Sequence, residues 1–196
     1  MQFIENKIFD ELKVGDTAEI TRTLRKQDIE LFAVMSGDVN PAHVDEEFAK
    51  SDPFHKVIAH GMWGGALISA VLGTELPGPG TIYLDQSLSF RRPVGLGDTV
   101  TVRLTVREKI PDKKRVVLDC ACTNQAGETV IKGEALVVAP TEKVRRPRAL
   151  LPEVHLHERV VRVRVAAHRD AARSGIAQPG SRAGSSRSRK AARARV

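Results

Sequence analysis

The stretch GDVNPAHVDEEF, residues 37–48, places Asp38, His43 and Asp45 within eight positions. A carboxylate and an imidazole held near one substrate form an acid–base pair, worth about 10²–10⁴-fold in rate when well positioned. A polar surface loop is the plainer reading of the same residues. Pro41 favours a fixed geometry, because it locks its own φ and pushes Asn40 toward an extended conformation. Asn40 is suited to hydrogen-bond within the loop. Asp45, directly before EEFAK, suits the N-cap of a short helix better than it suits catalysis.

Holding such a pair requires a frame. VGDTAEITRTLRK (14–26) follows a Gly-Asp turn with Ala18 and Ile20 alternating with polar neighbours, and predicts a strand. QDIELFAVMSG (27–37) carries Ile29, Leu31, Phe32 and Met35 at helical spacing, with Gly37 as its stop. A short helix is expected around 45–50. GMWGGALISAVLG (61–73) opens a helix running to about Leu76, apolar nearly all round, which predicts burial on every side. Gly64 and Gly65 each cost it about 1 kcal/mol of helix propensity, acceptable where a sheet must come close. LPGPG ends it. Strands are expected over 81–91, 98–110, 114–124 and 128–139, with Val100, Val102, Leu104 and Val106 on one face and a hairpin turn near Ala126-Gly127. Antiparallel strands packed over one buried helix make an α+β layer.

The formal charge of +7 is unevenly spread. Residues 151–196 hold ten arginines and one lysine against Glu153, Glu158 and Asp170, leaving 20 basic and 21 acidic groups in residues 1–150. The body is near neutral, so the whole-chain charge is no sign of a nucleic-acid partner. The expected organisation is one domain over 1–142 and an Arg-rich tail over 143–196, too poor in apolar and aromatic residues to offset its ordering entropy and therefore disordered. The thirteen apolar and small residues of 61–73 are too few to span a bilayer, and the N-terminus lacks the pattern of a signal peptide. Cys120 and Cys122, two apart on one strand, share a face and are poorly placed to bridge each other, so they read as reduced core thiols of a cytoplasmic protein.

SGDVNPAHVDEEFA, VIAHGMWGGALISAVLG and YLDQSLSFRRPVGLGDTV, in that order, resemble the MaoC-like dehydratases, in particular the R-specific enoyl-CoA hydratases of the hydratase 2 type. The likeness spans about residues 10–139, and the D-x-N-P-x-H signature is complete, with an A-H-G-M helix start following. The resemblance implies a hot-dog fold, a curved antiparallel sheet wrapped around one long buried helix, usually in a homodimer with joined sheets. It implies reversible syn addition of water to a trans-2-enoyl-CoA, giving the (R)-3-hydroxyacyl-CoA, with coenzyme A as part of the substrate and no metal or redox cofactor. Residue by residue, Asp38 and His43 fall on the catalytic pair, Gly61 on the oxyanion-hole amide and Ser69 on a hydroxyl that lines the active site. Acyl carrier protein as the carrier, a hot-dog thioesterase and a non-catalytic acyl-thioester binder remain alternatives; thioesterases of this fold usually lack the signature.

Elementary chemistry supports these placements. Adding water across a conjugated thioester demands a base for the water, an acid for the α-carbon and a donor for the developing enolate. Gly61 lies at the predicted helix start, where the first amides lack internal partners and carry positive partial charge. One such N–H aimed at the thioester oxygen contributes about 2.7–4 kcal/mol by analogy with other oxyanion donors. Asn40, His60, Met62, Arg91 and Arg92 complete the expected substrate-binding set. The two arginines suit the phosphates of coenzyme A, and a solvated strand end explains them equally well. Ser69 lies two helical turns beyond Gly61 without an adjacent base, which suits hydrogen bonding rather than nucleophilic attack. His43, Asp45, His55 and His60 fit no common zinc spacing, so no metal is expected.

Overall fold

The computed structural model describes residues 2–156. Strand β1 (Phe3–Glu5) and strand β2 (Thr17–Thr23) come first, followed by helices α1 (Lys26–Ser36), α2 (Pro41–Val44), α3 (Glu46–Ser51) and α4 (Gly61–Thr74). Strands β3 (Ile82–Phe90), β4 (Thr99–Ile110), β5 (Arg115–Thr123), β6 (Thr129–Val138) and β7 (Arg145–Pro147) complete the chain. Five strands form one antiparallel sheet in the order β2-β4-β5-β6-β3. Period-two alternation fixes which side of this sheet is the inside. Val100, Val102, Leu104 and Val106 of β4 are at most 1% exposed, and Val116, Leu118, Cys120 and Cys122 of β5 match them. Their pairing (Leu104 with Cys120, Val106 with Leu118) keeps both sets on one face. Each fully buried Leu or Val of this kind contributes about 1.5–3 kcal/mol. The predicted hairpin turn is present: Gly127 takes φ +75°, and Asn124 Oδ1 accepts the N–H groups of Ala126 and Glu128.

Helix α4 lies on the inner face, with Trp63, Ile68, Val71 and Leu72 buried in the common core. Its glycines do what a close-packed sheet needs. A Cβ on Gly64 would stand 2.3 Å from Ile131 Cδ1, and one on Gly65 would stand 3.3 Å from Leu88 Cδ1. The expectation of burial on every side is corrected. Met62 is 54% exposed, and Ala66, Ser69, Ala70 and Gly73 are exposed with it. One sheet covers one side of a helix, and small apolar residues do not themselves reveal which side that is. An open stripe therefore runs along α4 beside β3, an edge strand.

Two further differences concern short elements. The Asn40–Val44 segment, expected as a loop, contains the helical turn α2. The domain boundary expected at 142/143 falls too early, because β7 pairs antiparallel with β1, Ile4 opposite Arg146. Asn6, only 1% exposed, stitches this region together. Its Nδ2 donates to the carbonyls of Pro79 and Glu142, and its Oδ1 accepts the Val144 N–H. A buried amide needs all of those partners, and three-residue strands are too short to show alternation. The tail expectation for residues 157–196 lies outside the described residues. Among the described residues no helix is long and apolar enough to cross a membrane.

Candidate active site

The chain leaves α1 through Gly37, whose φ of +76° is the left-handed turn expected of a helix stop, and reaches Asp38 one residue later. Asp38 Oδ1 accepts the Asn40 N–H at 3.2 Å, and Asn40 Oδ1 in turn accepts the Ala42 N–H at 3.2 Å. Asn40 is thus the N-cap of α2, with Pro41 at its first position. This internally satisfied turn carries His43. Its Nδ1 lies 3.0 Å from the Ile58 carbonyl oxygen. A carbonyl can only accept, so Nδ1 holds the proton and Nε2 presents the lone pair. Asp45 has the structural role expected of it, since its Oδ1 caps α3 by accepting from Glu47 N at 2.9 Å and Phe48 N at 3.0 Å. His55 is exposed, with Nδ1 3.2 Å from the Lys50 carbonyl oxygen, away from the pair.

His60 is the N-cap of α4 and is 2% exposed. Its ring stacks on Phe32 at 4.8 Å between centroids and tilts against His43 at 4.0 Å. Its Nε2 lies 2.9 Å from the backbone oxygen of Asp38. A histidine at the helix entry also suits a hydrogen bond to backbone, and that is the bond His60 makes; at 2% exposure it stands behind the pair, bonded to protein. Asp38, His43 and His60 each bring a ligand-capable atom within 4.8 Å of the others, the one such grouping among the described residues. It includes Asp38 and leaves out Asp45 and His55, two of the four residues whose spacing fits no zinc pattern.

Gly61 opens α4, as expected. A Cβ there would lie 2.9 Å from Phe90 Cε1, so glycine lets the ring of β3 close against the helix start. A cavity of about 300 Å³ joins this point to His43; Asp38 is not among its lining residues and stands beside His43 instead. His43, Gly61, Trp63, Val130 and Ile131 line it, with Arg91 and Arg92 on its wall. Both arginines are exposed and so stand at its rim. Arg92 also faces Glu128 at 3.3 Å. Within this chain neither Met62 nor Ser69 reaches the cavity. Both lie on the open stripe of α4, Ser69 roughly 12 Å beyond Gly61 at the usual rise per residue.

Several contributors carried little sequence signal. Phe32 reads as one more core residue of α1, and Phe54 and Phe90 reach the site only through the fold. The two cysteines are free and buried. Burial pushes the Cys120 thiol up to about 11 and the Cys122 thiol up to about 12, so neither serves as a nucleophile near neutral pH.

Comparison with known proteins places this geometry in context. Residues 11–125 match the model of the MaoC like domain. The chain is 51% identical over 132 residues to the (R)-specific enoyl-CoA hydratase of Rhodospirillum rubrum, covering 67% of this chain and 91% of that protein. It is 45% identical over 142 residues to the 3-hydroxybutyryl-CoA dehydratase of Methylorubrum extorquens, covering 72% and 90%. Among solved structures, the unliganded R-hydratase PhaJ1 from Pseudomonas aeruginosa superposes with a TM-score of 0.77 at 48% identity, covering 80% of this chain and all of that one. The fold is the hot dog that the resemblance implied, and the chain belongs to the MaoC-like family.

Proposed function

We propose that the protein is a lyase that adds water reversibly to a trans-2-enoyl-CoA, giving the (R)-3-hydroxyacyl-CoA. The observation that carries this reading is the convergence of Asp38 on His43, which itself lines a cavity that also reaches the first amide of α4. The activities named for the relatives support it. The lone pair on His43 Nε2 takes one proton from the water whose oxygen attacks C3. The Asp38 carboxylate accepts the second hydrogen of that water and fixes its direction. As charge moves to the thioester oxygen, the Gly61 N–H receives it at a helix N-terminus. The proton held by the pair then passes to C2. Water is added whole and no electrons change hands, so the reaction as proposed needs no redox cofactor; the pair and the Gly61 N–H fill the acid–base and oxyanion roles that a metal would otherwise fill, and coenzyme A enters only as part of the substrate.

The same proposal places the chain in a homodimer, in the cytoplasm and in fatty-acid metabolism. Edge strand β3 exposes Ile82, Leu84 and Phe90 beside the open stripe of α4. An unpaired apolar edge of this kind is what a second copy of the chain would cover. Two free, buried thiols suit a reducing compartment.

The test uses crotonyl-CoA, following enoyl absorbance and free thiol together. Loss of absorbance without thiol is the expected result. Thiol release would replace the reading with hydrolysis, and no change in either signal would leave a binder. At the cavity rim, Arg91→Ala is expected to raise KM about 10-fold with kcat little changed, the mark of binding shared by ground and transition states. Arg92→Ala should do less, since Glu128 already engages that side chain. Unaltered KM values in both variants would remove the phosphate contact.

A further inference from the structure

We infer that His60 is a positioning residue that holds the acid–base pair and the oxyanion donor in one mutual geometry; the inference rests on the hydration reading above. Three connections meet at this side chain. Its Nε2–H donates to the Asp38 carbonyl at 2.9 Å, which ties down the backbone carrying the carboxylate. Its ring packs against both His43, at 4.0 Å between centroids, and Phe32, at 4.8 Å. The imidazole of the pair therefore leans on a ring that α1 backs. Its own peptide leads directly into Gly61, because His60 is the N-cap of α4. The acid–base pair at 38 and 43 and the N–H donor at 61 come from two separate stretches of chain, and His60 is bonded to, packed on or adjacent to all three groups.

The chemistry of the ring fits this duty and not substrate contact. A carbonyl only accepts, so the proton is on Nε2 and Nδ1 keeps a lone pair. That Nδ1 is buried and has no hydrogen-bond partner among the described residues. A polar atom left unpaired in the interior is retained where the rest of the group is needed. A residue fit only for packing at this point would carry no such atom.

The experiment compares His60→Met, which fills the space without a donor, with His60→Gln, whose amide keeps an N–H for the Asp38 carbonyl. Phe32→Leu removes the second ring packed on His60. Wild-type hydration of crotonyl-CoA is measured first; its absence overturns the functional reading itself, separately from the role of His60. Given that activity, His60→Met is expected to lower kcat about 100-fold, the scale of a small misplacement of reacting groups. KM should move less than about 3-fold, since binding is not what is lost. His60→Gln should recover most of the lost kcat, and Phe32→Leu should lower kcat without raising KM. Wild-type kcat in His60→Met overturns the inference. So does a rise in KM alone, which would make His60 a substrate contact, and so does a His60→Gln no faster than His60→Met. Should His60→Met show no cooperative melting transition, the other two variants decide. A fast His60→Gln with a kcat-impaired Phe32→Leu upholds the inference, and any other combination overturns it.

Discussion

Asp38→Asn is expected to lower kcat for crotonyl-CoA by about 10²–10⁴-fold while the melting temperature stays near wild type. The amide is isosteric with the carboxylate, and its oxygen can still accept the Asn40 N–H that organises the turn. What it loses is the charge and the ability to hold a proton. Asp38 is exposed and has no ion pair among the described residues, so folding has little stake in its charge. His43→Asn completes the test. An asparagine amide can stand in for Nδ1–H against the Ile58 carbonyl, so the anchor survives and only the basic Nε2 is removed. The two changes act on one water, so the double variant should be scarcely slower than the worse single one. Crotonyl-CoA turnover and thermal melting check all three proteins. Near-normal turnover in either single variant would take that residue out of the mechanism.

The contrast between these two residues and His60 shows what a sequence can carry. Asp38 and His43 lie close along the chain, and Pro41 between them restricts the backbone, so their meeting is a local event. Gly61 joins them because a helix start is itself a donor, wherever it is brought. The long elements are equally local in origin: the alternation of β4 and β5 survives as the buried face, and the glycines of α4 mark where the sheet comes close. His60 is different. Spacing places it at a helix start, and only the stack from Phe32 through to His43 turns it inward. The open stripe of α4 was illegible for a related reason, since Ala, Ser, Gly and Met suit a buried face and an exposed one alike. Strands β1 and β7 were missed because three residues hold no period, and their pairing rests on Asn6 reaching partners far along the chain.

Gly133→Ala is expected to be the most damaging single methyl in the sheet, and its effect should reach the site. Gly133 lies on β6 between two neighbours, opposite Cys120 of β5 and Leu88 of β3. A Cβ at this position would stand 1.9 Å from the Ser87 carbonyl oxygen and 2.8 Å from the Ser87 carbonyl carbon. Both are backbone atoms, so no rotamer relieves the overlap, and β3 must move away from β6. Overpacking costs about 1–3 kcal/mol when side chains can adjust, occasionally more, and a backbone clash belongs at or above the top of that range. For a chain of this size a loss of about 3 kcal/mol lowers the melting temperature by roughly 6–12 °C. The strand that must move also carries Leu88 against Gly65 and Phe90 against Gly61. Displacing it loosens the wall that faces the helix start, so kcat should fall even at temperatures where Gly133→Ala remains folded. Circular-dichroism melting and crotonyl-CoA turnover measured well below the transition separate the two effects. A variant that melts within about 2 °C of wild type would mean that β3 and β6 lie farther apart than the structure has them, because a smaller shift corresponds to well under 1.5 kcal/mol. Lost stability with fully preserved kcat would uphold the clash and break its link to the site.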